Sequence, residues 1–257
     1  DGLRLRRSVY IEVPRKSGKS TLCSVLSLYH LIADSESSAE IYSAATSRDQ
    51  ARIVFGDAQA MVRASKHLSQ HLPVHRSSIR HPAPTSKFEP LSADAGSLEG
   101  RNPSFSVVDE LHIHKTPDVY DVLNIASGAR ERPLFLSIST SGVDREGICY
   151  QVRDYSLKVL QGHVDDDSFF SMVYGIDDGD EWRDPAVWQK ANPNYGVSVQ
   201  PDDLARLAKQ AEESPSAETN FKTKRLNVWC STNSAWLSMG AWEACDKPRP
   251  PLESWKG

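Results

Sequence analysis

Residues Val13 to Thr21 read VPRKSGKST, between an alternating strand-like run, Ser8 to Val13, and a helical pattern, Ser20 to Ala33. A glycine- and lysine-bearing loop between strand and helix is the context of a phosphate-binding loop. Loop and helix-terminal N–H groups can cradle phosphates, Lys19 can reach the β and γ oxygens, and the Ser20 hydroxyl can hold Mg²⁺. Arg15, Lys16, Ser17, Gly18, Lys19, Ser20 and Thr21 are therefore the candidate nucleotide-binding residues, with ATP and Mg²⁺ as the implied ligands. The pattern G-x-x-x-x-G-K-[ST] asks for glycine where Val13 stands, so the loop must turn there without a positive φ.

Moving outward, Ser104 to His112 reads SFSVVDELH, a buried-looking strand that ends in two carboxylates. Asp109 is placed to hold Mg²⁺, and Glu110 to act as general base toward water. A third apolar strand ends in Ser139, Thr140 and Ser141, where a hydroxyl can sense the γ-phosphate. Arg15, Arg101, Arg130, Arg132 and Arg145 fall in or near loops from which an arginine can stabilise a phosphoryl transition state. His67, His71 and His75 recur every four residues, but Pro73 interrupts the helix that would align them as metal ligands.

The rest of the chain alternates in the same way. Leu22, Val25, Leu26, Tyr29 and Ile32 mark the apolar face of the first helix; Ala39 to Ala45 is a second strand, and Arg48 to Ala64 a second helix capped by Ser47. Leu72 to Gly100 reads as an insertion around a hairpin, Ile79 to His81 with Lys87 to Leu91. Phe105 to Val108, Pro133 to Ser139 and Phe169 to Ile176 are further strands, and Glu146 to Leu160 a helix. From Asp184 the pattern turns helical, through Pro201 to Glu213 and Ser216 to Val228, with Trp229 and Trp236 packing those helices, before a tail holding Pro248, Pro250 and Pro251. Alternation of this kind predicts an α/β fold with a mainly parallel sheet covered on both faces by helices, and ligands at the carboxyl ends of the strands.

Composition narrows the function classes. The 257 residues carry a net charge of −4, which excludes a surface that is basic throughout, so DNA contact requires a local patch. No apolar run is long enough to span a membrane. Four cysteines, Cys23, Cys149, Cys230 and Cys245, are widely spaced and form no C-x-x-C pair, so the expected state is reduced thiol in a cytoplasm. The chain begins without Met, almost directly on its first strand, as an excised piece with sequence upstream would.

Together VPRKSGKST, EIYSAATSRDQARIVF, LSADAGSLEGRNPSFSVVDELHIHK, ISTSG and KANPNYGVSVQPDDL resemble, in that order, the ATPase part of tailed-phage terminase large subunits. Those enzymes lack the first loop glycine and carry an arginine where Arg15 stands. The resemblance implies a P-loop NTPase of the ASCE, RecA-like kind with a small helical C-terminal subdomain, driving double-stranded DNA into a procapsid. It implies that Lys19 and Ser20 bind phosphate and Mg²⁺, that Asp109 holds the metal and Glu110 the water, and that Ser139 and Thr140 form the motif coupling hydrolysis to movement. Implied partners are double-stranded DNA, the procapsid with its portal, the terminase small subunit and further copies in a ring, in the cytoplasm of a bacterial host and without a membrane. The isolated chain is expected to be a monomer. In the ring an arginine of one subunit completes the next subunit's site, and Arg101 is the candidate. The expected division is an ATPase core over 1–183, a helical subdomain over 184–240 and a proline-rich linker over 241–257. An adenine-contacting glutamine motif would precede Asp1 and the nuclease would begin beyond Gly257, so no DNA cleavage is expected. Another P-loop translocase or helicase-like ATPase is the alternative, with a non-catalytic nucleotide-binding module the third reading.

Overall fold

The computed structural model describes residues 3–34, 36–82, 85–91, 98–231 and 245. Strand β1 (Ser8–Glu12) runs into the glycine-lysine loop and helix α1 (Lys19–Ile32). Strand β2 (Glu40–Ala44) and helix α2 (Arg48–Ala64) repeat that unit, with the Ser47 hydroxyl accepting from Gln50 N–H at 3.2 Å as the predicted cap. A short helix α3 (Lys66–His71) leads to β3 (Ile79–His81) and β4 (Ser86–Leu91). Then come β5 (Phe105–Val108), α4 (Asp118–Ala126), β6 (Leu134–Ser139), α5 (Ile148–Leu160) and β7 (Phe169–Val173).

The strands form one seven-stranded sheet in the order β3-β4-β2-β5-β6-β1-β7. Every pairing is parallel except β3 with β4. Alternate side chains divide between two cores, as a pleated strand requires. Ile11, Phe105, Val107 and Ile138 pack beneath α1 and α2. Tyr10, Val108 and Phe135 pack beneath α4 and α5 with Leu123, Cys149 and Val152. Because both faces are covered, β5 is buried at all four positions and reads as a continuous apolar run with one serine.

Two expectations are corrected. The stretch from Leu72 to Gly100 is not an insertion: β4 pairs in parallel with β2, Ile41 opposite Phe88, so the hairpin extends the central sheet. Four of the five residues of the apolar stripe of α1 also face outward, Leu22 at 43%, Val25 at 50%, Tyr29 at 51% and Ile32 at 40% exposure, while Leu26 packs against the core. The buried face carries Cys23, Ser24, Ser27, Leu28 and Leu31 instead. Small hydroxyls let α1 approach α2 closely, and Ser24 Oγ spans the gap by donating to the Val54 carbonyl at 2.8 Å. Of the three spaced histidines, His67 and His71 share α3, and His75 lies beyond its end.

Past β7 the chain forms α6 (Trp188–Ala191), α7 (Pro201–Glu212) and α8 (Pro215–Arg225). These surround their own apolar cluster of Trp182, Trp188, Leu204, Ala208, Phe221 and Leu226. Trp229 does not join it; its ring lies in the α4 and α5 core with Tyr10 and Cys149, because its indole N–H reaches Glu12. Trp236 and the expected linker prolines, Pro248, Pro250 and Pro251, lie outside the described residues.

Candidate active site

The parallel sheet brings the loop after β1, the acidic pair after β5 and the hydroxyl run at the end of β6 to one edge, the carboxyl ends of three adjacent strands. The loop turns through Lys16, at φ 73°, and Gly18, at φ 76°, while Val13 keeps a φ outside the positive range and donates its N–H to the Ser139 carbonyl at 3.1 Å. This is how the loop dispenses with its first glycine: the left-handed turns fall later, where glycine tolerates one and Lys16 is held in a strained one. Lys19 is 8% exposed, and its ammonium donates to the Val13 and Pro14 carbonyls at 3.1 Å each and to Thr140 Oγ1 at 2.8 Å. Burial lowers its pKa, an effect that Glu110 and Asp109 oppose.

Asp109 is 5% exposed, and burial followed by repulsion from Glu110 raises its carboxyl to about 6. Its Oδ1 accepts the Glu110 N–H at 2.8 Å. Glu110 adopts a left-handed backbone, φ 52°, which turns its side chain off the end of β5. Its Oε2 is buried without a hydrogen bond and lies 3.2 Å from His112 Nδ1. His112 is pressed down to about 3 by burial and the Lys224 ammonium, so the ring is neutral at physiological pH.

A polyphosphate with a divalent cation fits these residues. Among the described residues Ser17 Oγ is buried and lacks a partner, and Arg15 and Lys19 pair with no carboxylate. Ser20, on the first turn of α1, and Asp109 are the oxygen ligands available to Mg²⁺, which is held by few protein groups plus phosphate and water. Arg15, Lys16 and Thr21 are exposed at the loop's rim. Arg101 is not brought to this site. It precedes β5 and so lies toward the opposite end of the strands, donating to Tyr42 Oη at 3.4 Å, with Glu89 at 3.8 Å. Arg130 and Arg145 are occupied with carbonyls of Asn102 and Trp229 at 2.8 and 2.6 Å.

Sequence reading missed the residues that close the site from behind. Glu12 has no exposed surface and receives Tyr10 Oη–H, Asn227 Nδ2–H at 3.1 Å and Trp229 Nε1–H at 3.2 Å. The Asn227 amide oxygen also accepts the Ser141 N–H at 2.7 Å, and Ser141 Oγ donates to the Thr223 carbonyl at 2.9 Å. The Lys224 carbonyl accepts Arg15 N–H at 2.9 Å, and Ser198 Oγ donates to the Lys16 carbonyl at 2.8 Å. No spacing signals such contacts between parts of the chain so far apart: Ser141, Arg15, Lys16, Trp229 and the run holding Ser198 are legible singly, but not their pairing with Glu12, Thr223, Lys224 and Asn227.

The chain has relatives among known proteins. The family model of the terminase large subunit ATPase domain matches residues 2–158, more than half of the chain. The chain belongs to the terminase large subunit family. The large terminase subunit of Enterobacteria phage HK97 is 30% identical over 248 residues, 91% of this terminase chain and 47% of that protein. Its crystal structure superposes with a TM-score of 0.79 at 28% identity, covering 95% of this chain and 52% of that one. Protein YmfN of Escherichia coli strain K12 is 39% identical over 159 residues, 62% of this chain and 35% of that protein. The chain thus spans about half or less of the curated relatives it matches. A large terminase from a thermophilic bacteriophage, solved in complex with ADP, shares the fold alone, with a TM-score of 0.56 at 10% identity over 88% of this chain and 48% of that one.

One expectation about this terminase is overturned. The model of the terminase large subunit endonuclease domain matches residues 163–254, so the nuclease stretch does not begin beyond Gly257, and the expectation of no DNA cleavage, which rested on its absence, does not stand. Sequence reading took this stretch for a helical subdomain and a proline-rich linker because its helical periodicity and its prolines are its most legible features. Several of the described carboxylates there are ion-paired, Asp177 and Asp180 with Lys190 at 2.7 and 2.9 Å and Asp203 with Arg225 at 2.8 Å. Most residues of the match after Ser231 lie outside the described ones. Among the described residues no helix is long and apolar enough to cross a membrane.

Proposed function

We propose that this chain is the ATP-hydrolysing motor part of a terminase large subunit and drives double-stranded DNA into a procapsid. The observation that carries this reading is the convergence of Lys19, Asp109, Glu110 and Thr140 at the ends of three neighbouring strands, around a loop whose cations form no ion pair with a carboxylate among the described residues. The loop N–H groups and Lys19 hold the β- and γ-phosphates. Ser20 and Asp109 would hold Mg²⁺, which would neutralise charge developing on the phosphate oxygens. Glu110 accepts the proton of the attacking water as its oxygen bonds to the γ-phosphorus and the bond to the β-bridging oxygen breaks; ADP and phosphate leave.

Thr140, bonded directly to Lys19, and Ser139, bonded to the His112 backbone N–H at 2.9 Å, give the coupling role its support: they touch both the phosphate-binding and the water-activating sides. Arg101 is remote from its own chain's loop, so a catalytic role for it is one in trans, across a ring of copies. Partners follow from the family: double-stranded DNA, the portal of the procapsid and the small subunit, in the cytoplasm of a bacterial host. The test is phosphate release with and without double-stranded DNA. Assembly and DNA are expected to raise turnover, and Arg101→Ala to remove the rise, since an arginine donated in trans is worth on the order of 10³ to 10⁵ in rate. Mixing Arg101→Ala with Glu110→Gln subunits is expected to restore some activity; no rescue together with parental Arg101→Ala turnover contradicts the assignment.

A further inference from the structure

Lys224 stands on the last turn of α8, far along the chain from the acidic pair and inside the stretch matched by the endonuclease-domain model. Its carbonyl is fixed by the Arg15 N–H at 2.9 Å, which anchors the turn to the phosphate loop. Its half-buried side chain points at the ring of His112, with Nζ 3.1 Å from Nε2 and 3.5 Å from the Ser141 carbonyl. An ammonium only donates, so His112 must offer a lone pair at Nε2 and carry its proton on Nδ1. Nδ1 lies 3.2 Å from Glu110 Oε2 and 3.1 Å from Ser139 Oγ. Ser139 gives its own proton to the Thr140 carbonyl at 3.0 Å and accepts from the His112 backbone N–H at 2.9 Å, so ring and backbone of His112 are both pinned.

We propose that Lys224 is a positioning residue for Glu110: by fixing the tautomer and plane of the His112 ring, it sets where the Glu110 carboxylate lies for the attack of water. This inference rests on the assignment of Glu110 as base made above. The chemistry favours the arrangement. A neutral ring held at Nδ1 by Ser139 Oγ, with that nitrogen 3.2 Å from Oε2, bounds the position of the carboxylate without forming an imidazolium–carboxylate pair, which would draw down its basicity. The same lysine keeps a proton off Nε2 and so keeps the ring neutral. Without it the imidazole is free to turn or to take a second proton, and both changes disturb a base whose geometry must hold to within roughly 1 Å. The base of the ATPase is then answerable to α8, an element outside the nucleotide-binding core.

The experiment is a double-mutant cycle in steady-state ATP hydrolysis by the full chain: the parent, Lys224→Met, His112→Ala and the two combined, with ATP-analogue affinity measured on each as a check of folding. Lys224→Met is expected to lower kcat on the order of tenfold or more while the KM for ATP changes less than about threefold. In the His112→Ala background, the further loss from Lys224→Met is expected to be under about twofold, because the lysine acts through that ring. Should Lys224→Met fail to bind the analogue, Lys224→Gln takes its place in the cycle. A raised KM with parental kcat, or losses that multiply in the double variant, overturns the inference. Glu110→Gln in the same series separates the two levels: parental turnover there removes the base assignment itself, whereas an inactive Glu110→Gln beside a multiplicative pair removes only the role of Lys224.

Discussion

Glu12 illustrates what a single residue can bear in this fold. It is the last residue of the strand that feeds the phosphate loop, fully buried, and held by groups from separate parts of the chain, including Arg153 at 3.4 Å. Burial raises its pKa more than Tyr10, Arg153 and Trp229 lower it. The folded state therefore binds this proton more readily than the unfolded chain. Its stabilising contribution is complete below the ordinary glutamate value of about 4.3 and declines as pH rises through the elevated one. Glu12→Gln is expected to flatten that decline while keeping the acceptor for Asn227 and Trp229. Urea unfolding of parent and variant from about pH 4 to about pH 9 measures it; parallel curves would show that Glu12 titrates normally.

Among the elements, α1 departs furthest from expectation, and it yields its own prediction. Replacing Val25 and Tyr29, each about half exposed, with lysine is expected to change stability by no more than about 0.5 kcal/mol apiece. Ser27→Leu, on the fully buried face, is expected to cost roughly 1 to 3 kcal/mol by overpacking. Denaturant midpoints that reversed this order would restore the sequence-based assignment of the faces. The helix itself was legible, because periodicity reports that a stretch is helical. Its orientation was not, because a serine-lined contact looks polar in the sequence. The strands were legible as apolar runs of the right length, and the loop Val13 to Thr21 by its residues. That β4 joins the central sheet was not, since pairing partners distant in the chain leave no local mark.

Across the whole molecule, the proposed ATP site does not end with the region that the ATPase-domain model matches. Thr223, Lys224, Asn227 and Trp229 contact the strand before the loop, the loop itself, the hydroxyl run and His112, beside the proposed base Glu110. A chain cut after Arg183, at the boundary the sequence suggests, leaves Glu12 and Ser141 buried without those partners, at roughly 1 to 3 kcal/mol for each unsatisfied group. It is expected to melt well below a chain cut after Ser231 and to bind an ATP analogue at least about tenfold more weakly, as calorimetry on the two pieces can establish. Equal affinity would show that the core is self-sufficient. Whether Glu110 activates water on a nucleotide held by Lys19 is decided by measuring MgATP affinity and phosphate release side by side for the parent, Lys19→Ala and Glu110→Gln. The expected result is that Lys19→Ala loses binding by a factor of about 100 or more, while Glu110→Gln keeps affinity within about threefold and loses turnover by a factor of about 100 or more. Parental turnover in Glu110→Gln, or undiminished binding in Lys19→Ala, would contradict it.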